Sequence, residues 1–157
     1  MKIGILSDTH DNLPQVEKAV ELFNKKKVDF VLHAGDFVAP FTILKLKKLK
    51  CDWRGVFGNN DGERTGLARI SEGKIQEGPL RIKLADKKIT LVHDINTINP
   101  EREGSALIVF GHTHKSEVVK KGNALLINPG EAGGWLTGKS TVAIVDLTAL
   151  SHKIFSL

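Results

Sequence analysis

The amino-acid sequence predicts an α/β fold in which two β-sheets pack against each other. Residues 1–60 alternate apolar runs with amphipathic segments in the order strand, helix, strand, helix, strand, which is typical of a parallel sheet with right-handed crossovers. From residue 64 onward, short alternating runs are separated by turn residues and helical patterns are scarce, which indicates a second, antiparallel or mixed sheet. A length of 157 residues, with 41% hydrophobic and 26% charged residues, suits one soluble domain spanning residues 1–157.

The first half contains three predicted strands and two predicted helices. The strand at residues 2–6 precedes a helix at residues 13–24, for which Asn12 is a candidate N-cap and Pro14 is tolerated in the first turn. Apolar residues recur along this helix at the spacing of a core-facing stripe. The remaining elements of this half are a strand at residues 29–33, a short helix at residues 40–49 and a strand at residues 51–56.

The second half is predicted to consist mainly of strands. Residues 95–105 suit a loop with at most one helical turn, and Asp86-Lys87 and the segment 121–123 suit hairpin turns. The predicted strands are short, and they lie at residues 73–76, 80–84, 88–92, 107–110, 116–120, 124–127, 140–145 and 152–157. We expect this half to supply the second sheet.

Composition and charge narrow the classes of function. The net charge is +5, but the lysines are dispersed and do not interleave with aromatic residues, so a nucleic-acid partner is disfavoured. No apolar run is long enough to cross a bilayer, and the first residues lack the pattern of a secretory signal, which argues against a membrane partner. The single Cys51 excludes an internal disulfide, and these features together favour a cytoplasmic protein.

Polar side chains that can bind metals follow most of the predicted strands. The carboxyl ends of parallel strands lie on one edge of a sheet, where α/β proteins place their ligand crevice. Two of these side chains, His112 and His114, follow an apolar run and would face the same way if the chain stays extended. The others are Asp8 and His10, Asp36, Asn59 with Asn60 and Asp61, and His93. We expect all of them to converge on one site.

The donor types in this set indicate a transition-metal centre. Carboxylates combined with imidazoles suit Mn²⁺, Fe²⁺, Co²⁺, Ni²⁺ or Zn²⁺, whereas Ca²⁺ and Mg²⁺ prefer all-oxygen sites. Seven candidate ligands are too many for one tetrahedral ion and fit two ions that share a bridging group. Asp36, near the middle of the set, is the carboxylate best suited to bridge them.

Each of these residues also has a purely structural interpretation. Asp8, His10 and Asp36 could be ordinary turn or cap residues, and Asn59 lies in a run that is rich in turn formers. We favour ligands because the same residue types recur after several strands. Three other features are interpreted as structural: His33 as a buried residue, His152 as a surface residue, and the segments 128–130 and 133–134 as tight turns.

Five motifs, in this order and at this spacing, resemble those of the calcineurin-like metallophosphoesterases. They are Asp8-Thr9-His10, Gly35-Asp36, Gly58-Asn59-Asn60-Asp61, His93 and Gly111-His112-Thr113-His114. The short chain, its Ser-Asp-Thr-His start and the Asn-Pro-Gly segment at residues 128–130 are most similar to the YfcE-type phosphodiesterases. The resemblance covers nearly the whole chain, and it implies a two-sheet mixed β sandwich flanked by helices.

The resemblance also implies a dinuclear metal site and an activity. One ion would be held by Asp8, His10, Asp36 and His114, and the other by Asp36, Asn59, His93 and His112. Two divalent ions per chain would lower the pKa of a bridging water, so that it is present as hydroxide. Mn²⁺ is the favoured ion, with Ni²⁺, Co²⁺, Fe²⁺ or Zn²⁺ as alternatives. The implied function is that of a metal-dependent hydrolase acting on small phosphodiesters.

Two positions depart from the family pattern. Most members have His where this chain has Asn60, whose amide can donate a hydrogen bond to phosphate but cannot act as a general acid near neutral pH. Asn60 and Asp61, the acid expected to orient it, are the candidate catalytic residues. We therefore expect a preference for good leaving groups and weak action on alkyl phosphomonoesters. Asp94 stands where the family has Gly, and it could orient His93 or face solvent.

The main alternative function is a non-catalytic, protein-binding scaffold of the same fold, like the retromer subunit. All four site histidines are present in this chain, which favours catalysis over that alternative. A nuclease of this fold usually adds a further domain, and a protein phosphatase would be longer and would keep His at position 60. The sequence leaves open a homo-oligomer and the nature of the diester, whether nucleotide, cyclic nucleotide or lipid-linked.

Overall fold

The computed structural model describes residues 1–157. It contains eleven strands, three α-helices and one 3₁₀ turn at Ile95–Thr97. The strands and helices follow in the order β1 Lys2–Leu6, α1 Leu13–Lys26, β2 Phe30–His33, α2 Phe41–Leu46, β3 Asp52–Val56, α3 Arg64–Ile70, β4 Ile75–Gln76, β5 Leu80–Leu84, β6 Lys87–Leu91, β7 Leu107–Val109, β8 Ser116–Lys121, β9 Ala124–Pro129, β10 Thr141–Asp146 and β11 Ser151–Ser156.

Two mixed sheets form the body of the molecule. The first has six strands in the order β11-β10-β1-β2-β3-β4, and the second has five strands in the order β5-β6-β7-β9-β8. Strands β1 to β4 are parallel neighbours, and so are β6, β7 and β9. Strands β5, β8, β10 and β11 pair antiparallel with their neighbours. The predicted fold class, α/β with two packed sheets, is confirmed.

The main core lies between the two sheets. Inward-facing side chains of both, such as Ile5, Leu91, Val109 and Ile127, form a cluster of fifteen buried residues. A second cluster of fifteen packs all three helices against the outer face of the six-stranded sheet, where Phe23 of α1 is fully buried. The helices therefore flank one side of the sandwich.

Three strands of the second half join the first sheet rather than the second. Strand β10 pairs antiparallel with β1, placing Ala143 opposite Ile5, and β11 follows it as the edge strand. Strand β4 extends the parallel edge beside β3. The expectation that the second half supplies only the second sheet is wrong for these strands. The alternating sequence pattern identifies the strands, but it does not identify the distant strand with which each of them pairs.

Helix α3, Arg64–Ile70, lies where no helix was predicted. It spans seven residues and buries only Gly66 and Leu67. A stripe that short gives no amphipathic period, so the sequence pattern could not reveal it. The loop at residues 95–105, for which the sequence allowed one helical turn, contains a 3₁₀ turn at Ile95–Thr97.

The boundaries of the two predicted helices shift in the structure. Helix α1 continues to Lys26, and α2 is confined to Phe41–Leu46. Asn12 precedes α1, but its side chain makes no capping hydrogen bond and instead donates to the carbonyl of Gly133 at 2.7 Å. None of the helices combines the length and apolar character needed to span a membrane.

Candidate metal centre

The loops that follow five strands of the two sheets meet at one edge of the sandwich. Strands β1, β2 and β3 lead into residues 7–12, 34–40 and 57–63, while β6 and β7 lead into residues 92–94 and 110–115. Backbone hydrogen bonds connect these loops: the amide of Asp8 donates to the carbonyl of Gly35 at 3.0 Å, and that of Gly111 donates to the carbonyl of His93 at 2.9 Å. The side chains that follow the strands are thereby brought together from both sheets.

Five of the candidate ligands adopt the left-handed backbone conformation. The φ angle is 52° at Asp8, 42° at His10, 61° at Asp36, 69° at His112 and 61° at His114. Residues with a Cβ rarely adopt this conformation, which costs about 1–3 kcal/mol at each position. Strain of this kind persists only where the surrounding structure imposes it, and it is typical of functional sites.

A compact group of donor atoms is formed by Asp8, His10, Asp36 and His114. One ligand atom from each lies within 4.8 Å of all the others. Burial raises the pKa of Asp8, which reflects the cost of keeping its carboxylate charged here. Two buried atoms, Oδ1 of Asp8 and Nε2 of His10, have no hydrogen-bond partner. A divalent cation would supply the partner that both atoms lack, so the group fits a metal ion.

A second group beside Asp36 is formed by His93, Asn59 and His112. Nδ1 of His93 is 2.7 Å from the carbonyl oxygen of Ala34, which can only accept, so this nitrogen carries the ring proton. Nε2 of the same ring lies 2.8 Å from Oδ1 of Asn59. Nδ1 of His112 approaches the same oxygen at 2.9 Å. Two imidazole nitrogens and an amide oxygen, which are donor types that transition metals accept, therefore lie close together beside Asp36.

Asp36 lies between these two groups. Its Oδ2 atom is 3.5 Å from Nε2 of His10 and 3.5 Å from Nε2 of His93. The side chain is 1% exposed, so its charge needs compensation from nearby donors or cations. The backbone and side-chain amides of Asn60 donate to Oδ1 and Oδ2 respectively, both at 2.8 Å. Asp36 is therefore within reach of a histidine of each group.

Asp61 holds the backbone of two loops. Its carboxylate accepts hydrogen bonds from the amides of Gly58 at 2.7 Å, Val38 at 2.7 Å and Asp36 at 3.1 Å. Burial raises the pKa of Asp61, and the charge of Asp36 acts in the same direction. The sequence led us to expect that Asp61 orients Asn60, but the structure shows no hydrogen bond between their side chains. Asp61 instead fixes the loops that carry Asp36 and Asn59.

Glu131 contributes to the site although no sequence pattern pointed to it. Its side chain is fully buried, and Oε2 lies 3.1 Å from Nδ1 of His114. A carboxylate accepts, so Nδ1 carries the proton and Nε2 of His114 is free to bind a metal. Burial alone would raise the pKa of Glu131, but hydrogen bonds from Thr137 and His114 lower it below its usual value. The residue lies just after the end of β9, where no periodicity marks a buried acid.

His33 has the structural role that the sequence suggested. Its Nδ1 atom accepts a hydrogen bond from the amide of Gly35 at 3.2 Å, so Nε2 donates to the hydroxyl of Thr9 at 3.1 Å. That hydroxyl in turn donates to the carbonyl of Asp36 at 3.1 Å. Burial lowers the pKa of His33 well below its usual value, which keeps the ring neutral. The chain of bonds connects the loops after β1 and β2.

Asp94 and Asn128 stabilise two further loops of the site. Asp94 accepts from the amide of Asn96 at 3.0 Å and caps the 3₁₀ turn, so it does not orient His93. Asn128 was interpreted as part of a tight turn but lies in strand β9, and its side chain donates to the carbonyl of Gly111 at 2.8 Å. This bond fixes the start of the loop that carries His112 and His114.

Comparison with known proteins places the chain among phosphoesterases. Residues 1–150 match the family described as the calcineurin-like phosphoesterase superfamily domain. Phosphodiesterase MJ0936 of Methanocaldococcus jannaschii is 38% identical over 161 aligned positions, which cover 98% of this chain and 97% of the relative. A solved archaeal phosphodiesterase shares 34% identity and superposes with a TM-score of 0.93, with 100% of both chains covered.

More distant solved structures share the same architecture. YfcE, a phosphoesterase from E. coli, has a TM-score of 0.75 at 20% identity, with 99% of each chain covered. Zinc-bound Vps29 from Entamoeba histolytica has a TM-score of 0.64 at 21% identity, with 100% of this chain and 98% of that chain covered. At these identities the likeness extends to the fold alone.

Proposed function

The chain belongs to the calcineurin-like phosphoesterase superfamily, and we propose on this basis that it is a divalent-metal-dependent phosphodiesterase. The observation that carries the proposal is the buried cluster in which Oδ1 of Asp8 and Nε2 of His10 lack hydrogen-bond partners. The relative named a phosphodiesterase, which is 38% identical across nearly the whole chain, supports the reaction class. We propose small phosphodiesters as substrates rather than nucleic acid, because the basic residues are dispersed along the chain.

We propose that each chain holds two ions that share Asp36. The remaining ligands would be Asp8, His10 and His114 for one ion, and Asn59, His93 and His112 for the other. Mn²⁺ is the favoured metal because the donors mix carboxylate, amide and imidazole, and Ni²⁺, Co²⁺, Fe²⁺ and Zn²⁺ are alternatives. Two such ions, when bound, lower the pKa of a shared water and neutralise the charge of the phosphate.

Hydrogen bonds to neighbouring residues orient two of the candidate histidine ligands toward the metal centre. The ring proton of His93 is held by the carbonyl of Ala34, and that of His114 is held by the carboxylate of Glu131. Both rings therefore direct the lone pair of Nε2 toward the centre of the site. Hydrogen bonds of this kind also fix the ring orientation and raise the basicity of the ligand.

Asn60 determines which leaving groups the site can expel. One proton of its side-chain amide is donated to Asp36 at 2.8 Å, and the second is available for a phosphate oxygen. An amide cannot transfer a proton to the leaving group near neutral pH, so a group that needs protonation departs slowly. We therefore propose that aryl diesters are good substrates and that alkyl phosphomonoesters are poor ones.

The decisive experiment compares metals and substrates on the same protein. The protein is stripped with a chelator, and Mn²⁺, Ni²⁺, Co²⁺, Zn²⁺ or Mg²⁺ is restored singly. Rates are then measured on bis(p-nitrophenyl) phosphate and on p-nitrophenyl phosphate, which share their leaving group. We expect turnover to return with a transition metal and to favour the diester.

Two other outcomes would redirect the proposal. A preference for the monoester would leave the metal centre in place but contradict the proposal that phosphodiesters are the substrates. Stoichiometric metal binding without turnover on either ester would favour the protein-binding scaffold, the alternative function within this fold.

A further inference from the structure

Two large apolar side chains stand exposed at the rim of the metal centre. Trp135 is 65% exposed and Leu136 is 75% exposed, although burying such side chains would normally stabilise the fold. The indole Nε1 of Trp135 donates to the carbonyl of His10 at 3.2 Å, which ties the ring to a candidate metal ligand. We refer to these two residues as the apolar shelf.

Hydrogen bonds with buried or neighbouring side chains fix the backbone segment that carries the apolar shelf. The buried carboxylate of Glu131 accepts the amide of Leu136 at 3.1 Å and also binds Thr137 through its amide and hydroxyl. On the other side, the side chain of Asn12 donates to the carbonyl of Gly133 at 2.7 Å. An exposed aromatic residue fixed in this way can bind a ligand with little loss of conformational entropy.

A polar cavity adjoins the shelf on the side of His114. It has a volume of about 260 Å³ and is lined by His114, Lys115, Ser116, Thr137, Lys139 and Thr141. Two lysines and three hydroxyl groups face it, and no carboxylate lines it. We refer to it as the lysine pocket. Thr137 and Thr141 already donate their hydroxyl protons to Glu131 and to the carbonyl of Pro129, so the groups left to bind a phosphate are the two lysines and Ser116.

We propose that the substrates are nucleotide-type phosphodiesters, with a base stacked on the apolar shelf and a second phosphate in the lysine pocket. The inference rests on the proposed function, because it takes the scissile phosphate to lie at the metal centre. Trp135 supplies a flat aromatic face, which suits a planar base. Lys115 and Lys139 would bind a second, negatively charged phosphate of the same substrate.

The surroundings of the shelf favour a small ligand over a protein partner. A standard protein interface uses about 20–30 residues a side and has few charges at its core. The apolar shelf consists of two side chains, lies beside the charged residues of the metal centre through the bond of Trp135 to His10, and is followed along the chain by Lys139. A protein partner would have to desolvate these charges for little apolar contact.

The test uses three substrates with the same p-nitrophenolate leaving group. They are methyl p-nitrophenyl phosphate, thymidine 5′-(p-nitrophenyl phosphate), and the 3′-phosphorylated form of the latter. The metal-restored protein should show kcat/KM rising along this series, by about tenfold or more for the base, which is the usual effect of one base–aromatic stack. A further increase should follow from the 3′-phosphate.

Variants assign each increase to its residues. Trp135→Ala should remove most of the gain from the base, whereas Trp135→Phe should retain part of it, because Phe keeps an aromatic face but loses the bond to His10 that fixes the ring. Lys115→Gln combined with Lys139→Gln should remove the gain from the 3′-phosphate. Leu44→Ala is the control, since Leu44 is 51% exposed on α2 and should leave all three rates unchanged.

Equilibrium binding separates this inference from the proposed function. Calorimetry with thymidine 3′,5′-bisphosphate should give binding to the metal-loaded protein that weakens about tenfold in Trp135→Ala. Turnover with equal kcat/KM on the three substrates would overturn the inference and leave the phosphodiesterase function standing. Bisphosphate binding that depends on Trp135, without turnover of any ester, would uphold the nucleotide site and overturn the phosphodiesterase function. A dimer that dissociates in Trp135→Ala, with unchanged kcat/KM, would show instead that the shelf binds a second copy.

Discussion

Nδ1 of His114 lies 3.1 Å from Oε2 of Glu131, and the same carboxylate accepts the amide of Leu136 at 3.2 Å. One buried acid thus connects a candidate metal ligand with the exposed segment at the rim of the site. Histidine ligands commonly depend on such a partner, because it fixes both the tautomer and the orientation of the ring.

Replacing Glu131 by Gln should weaken metal binding by about 10- to 100-fold, the usual effect of losing the hydrogen-bond partner of a ligand. The amide keeps only one acceptor oxygen, so its NH2 group would face a donor, either Nδ1–H of His114 or the amides of Leu136 and Thr137. The measurement is a competition titration of the apoprotein with Zn²⁺ and a chromogenic chelator. Glu117→Gln, an exposed change on β8, is the matched control. An unchanged metal affinity in Glu131→Gln would contradict the role of this residue.

Replacing Asp36 by Asn should remove the shared ligand of both ions. We expect kcat on bis(p-nitrophenyl) phosphate to fall by about 10²–10³-fold, as when one preorganised electrostatic group is lost from an active site. Metal content, measured by elemental analysis, should fall below two ions per chain. Asp86→Asn is the control because that side chain is 94% exposed in a turn. Full metal content together with full activity in Asp36→Asn would rule out a bridging carboxylate.

Replacing Asn60 by His should improve the hydrolysis of phosphomonoesters relative to phosphodiesters. An imidazole can protonate a leaving group that the amide cannot, and general acid catalysis contributes about 10²–10⁴-fold when fully developed. We expect a gain at the lower end, because Asp61 is engaged by three backbone amides and does not reach residue 60. The ratio of kcat/KM for an alkyl monoester to that for an aryl diester measures the effect. Asn123→His, in an exposed turn, should leave the ratio unchanged.

Replacing Glu103 by Gln should lower the free energy of unfolding at neutral pH and have less effect in acid. The carboxylate accepts from Nε and Nη2 of Arg81 at 2.8 and 2.9 Å, and these bonds lower its pKa. An acid whose pKa is lowered in the folded state stabilises the fold at pH values above its pKa in the unfolded state, which is about 4.3 for Glu. That stabilisation is lost as the pH falls through the folded pKa.

Urea unfolding of the wild type and Glu103→Gln at pH 7 and pH 4 measures this dependence. The difference between the two proteins should shrink at the lower pH. Glu101→Gln, an exposed neighbour, should show no such difference. A constant difference at both values would mean that the charge of Glu103 does not contribute.

The strand-end residues were predictable because they depend on local order and on one rule of topology. Parallel strands end on the same edge, so Asp8, Asp36 and Asn59 could be placed together from three apolar runs. The second sheet obeys the same rule, because β6 and β7 are parallel neighbours that carry His93 and His112 to that edge. The roles of these residues as ligands stay predictions.

Other features could not be predicted from the sequence because they depend on contacts between distant segments. Glu131 lies just after the end of β9, and only the fold shows that His114 lies against it. Asp94 looked equally suited to His93 and to solvent, until the structure showed it capping the following turn. The pairing of β10 with β1 depends on a sequence separation of more than a hundred residues, which no local pattern encodes.

The two sheets contribute different halves of the candidate ligand set. Asp8, Asp36 and Asn59 follow strands of the six-stranded sheet, whereas His93 and His112 follow strands of the five-stranded sheet. Bound ions would therefore act as a removable cross-link between the two layers of the sandwich. We expect removal of the ions by a chelator to speed amide hydrogen exchange along the inner strands of both sheets at once. The stability of the contact between the two sheets would then vary with the supply of metal around the protein.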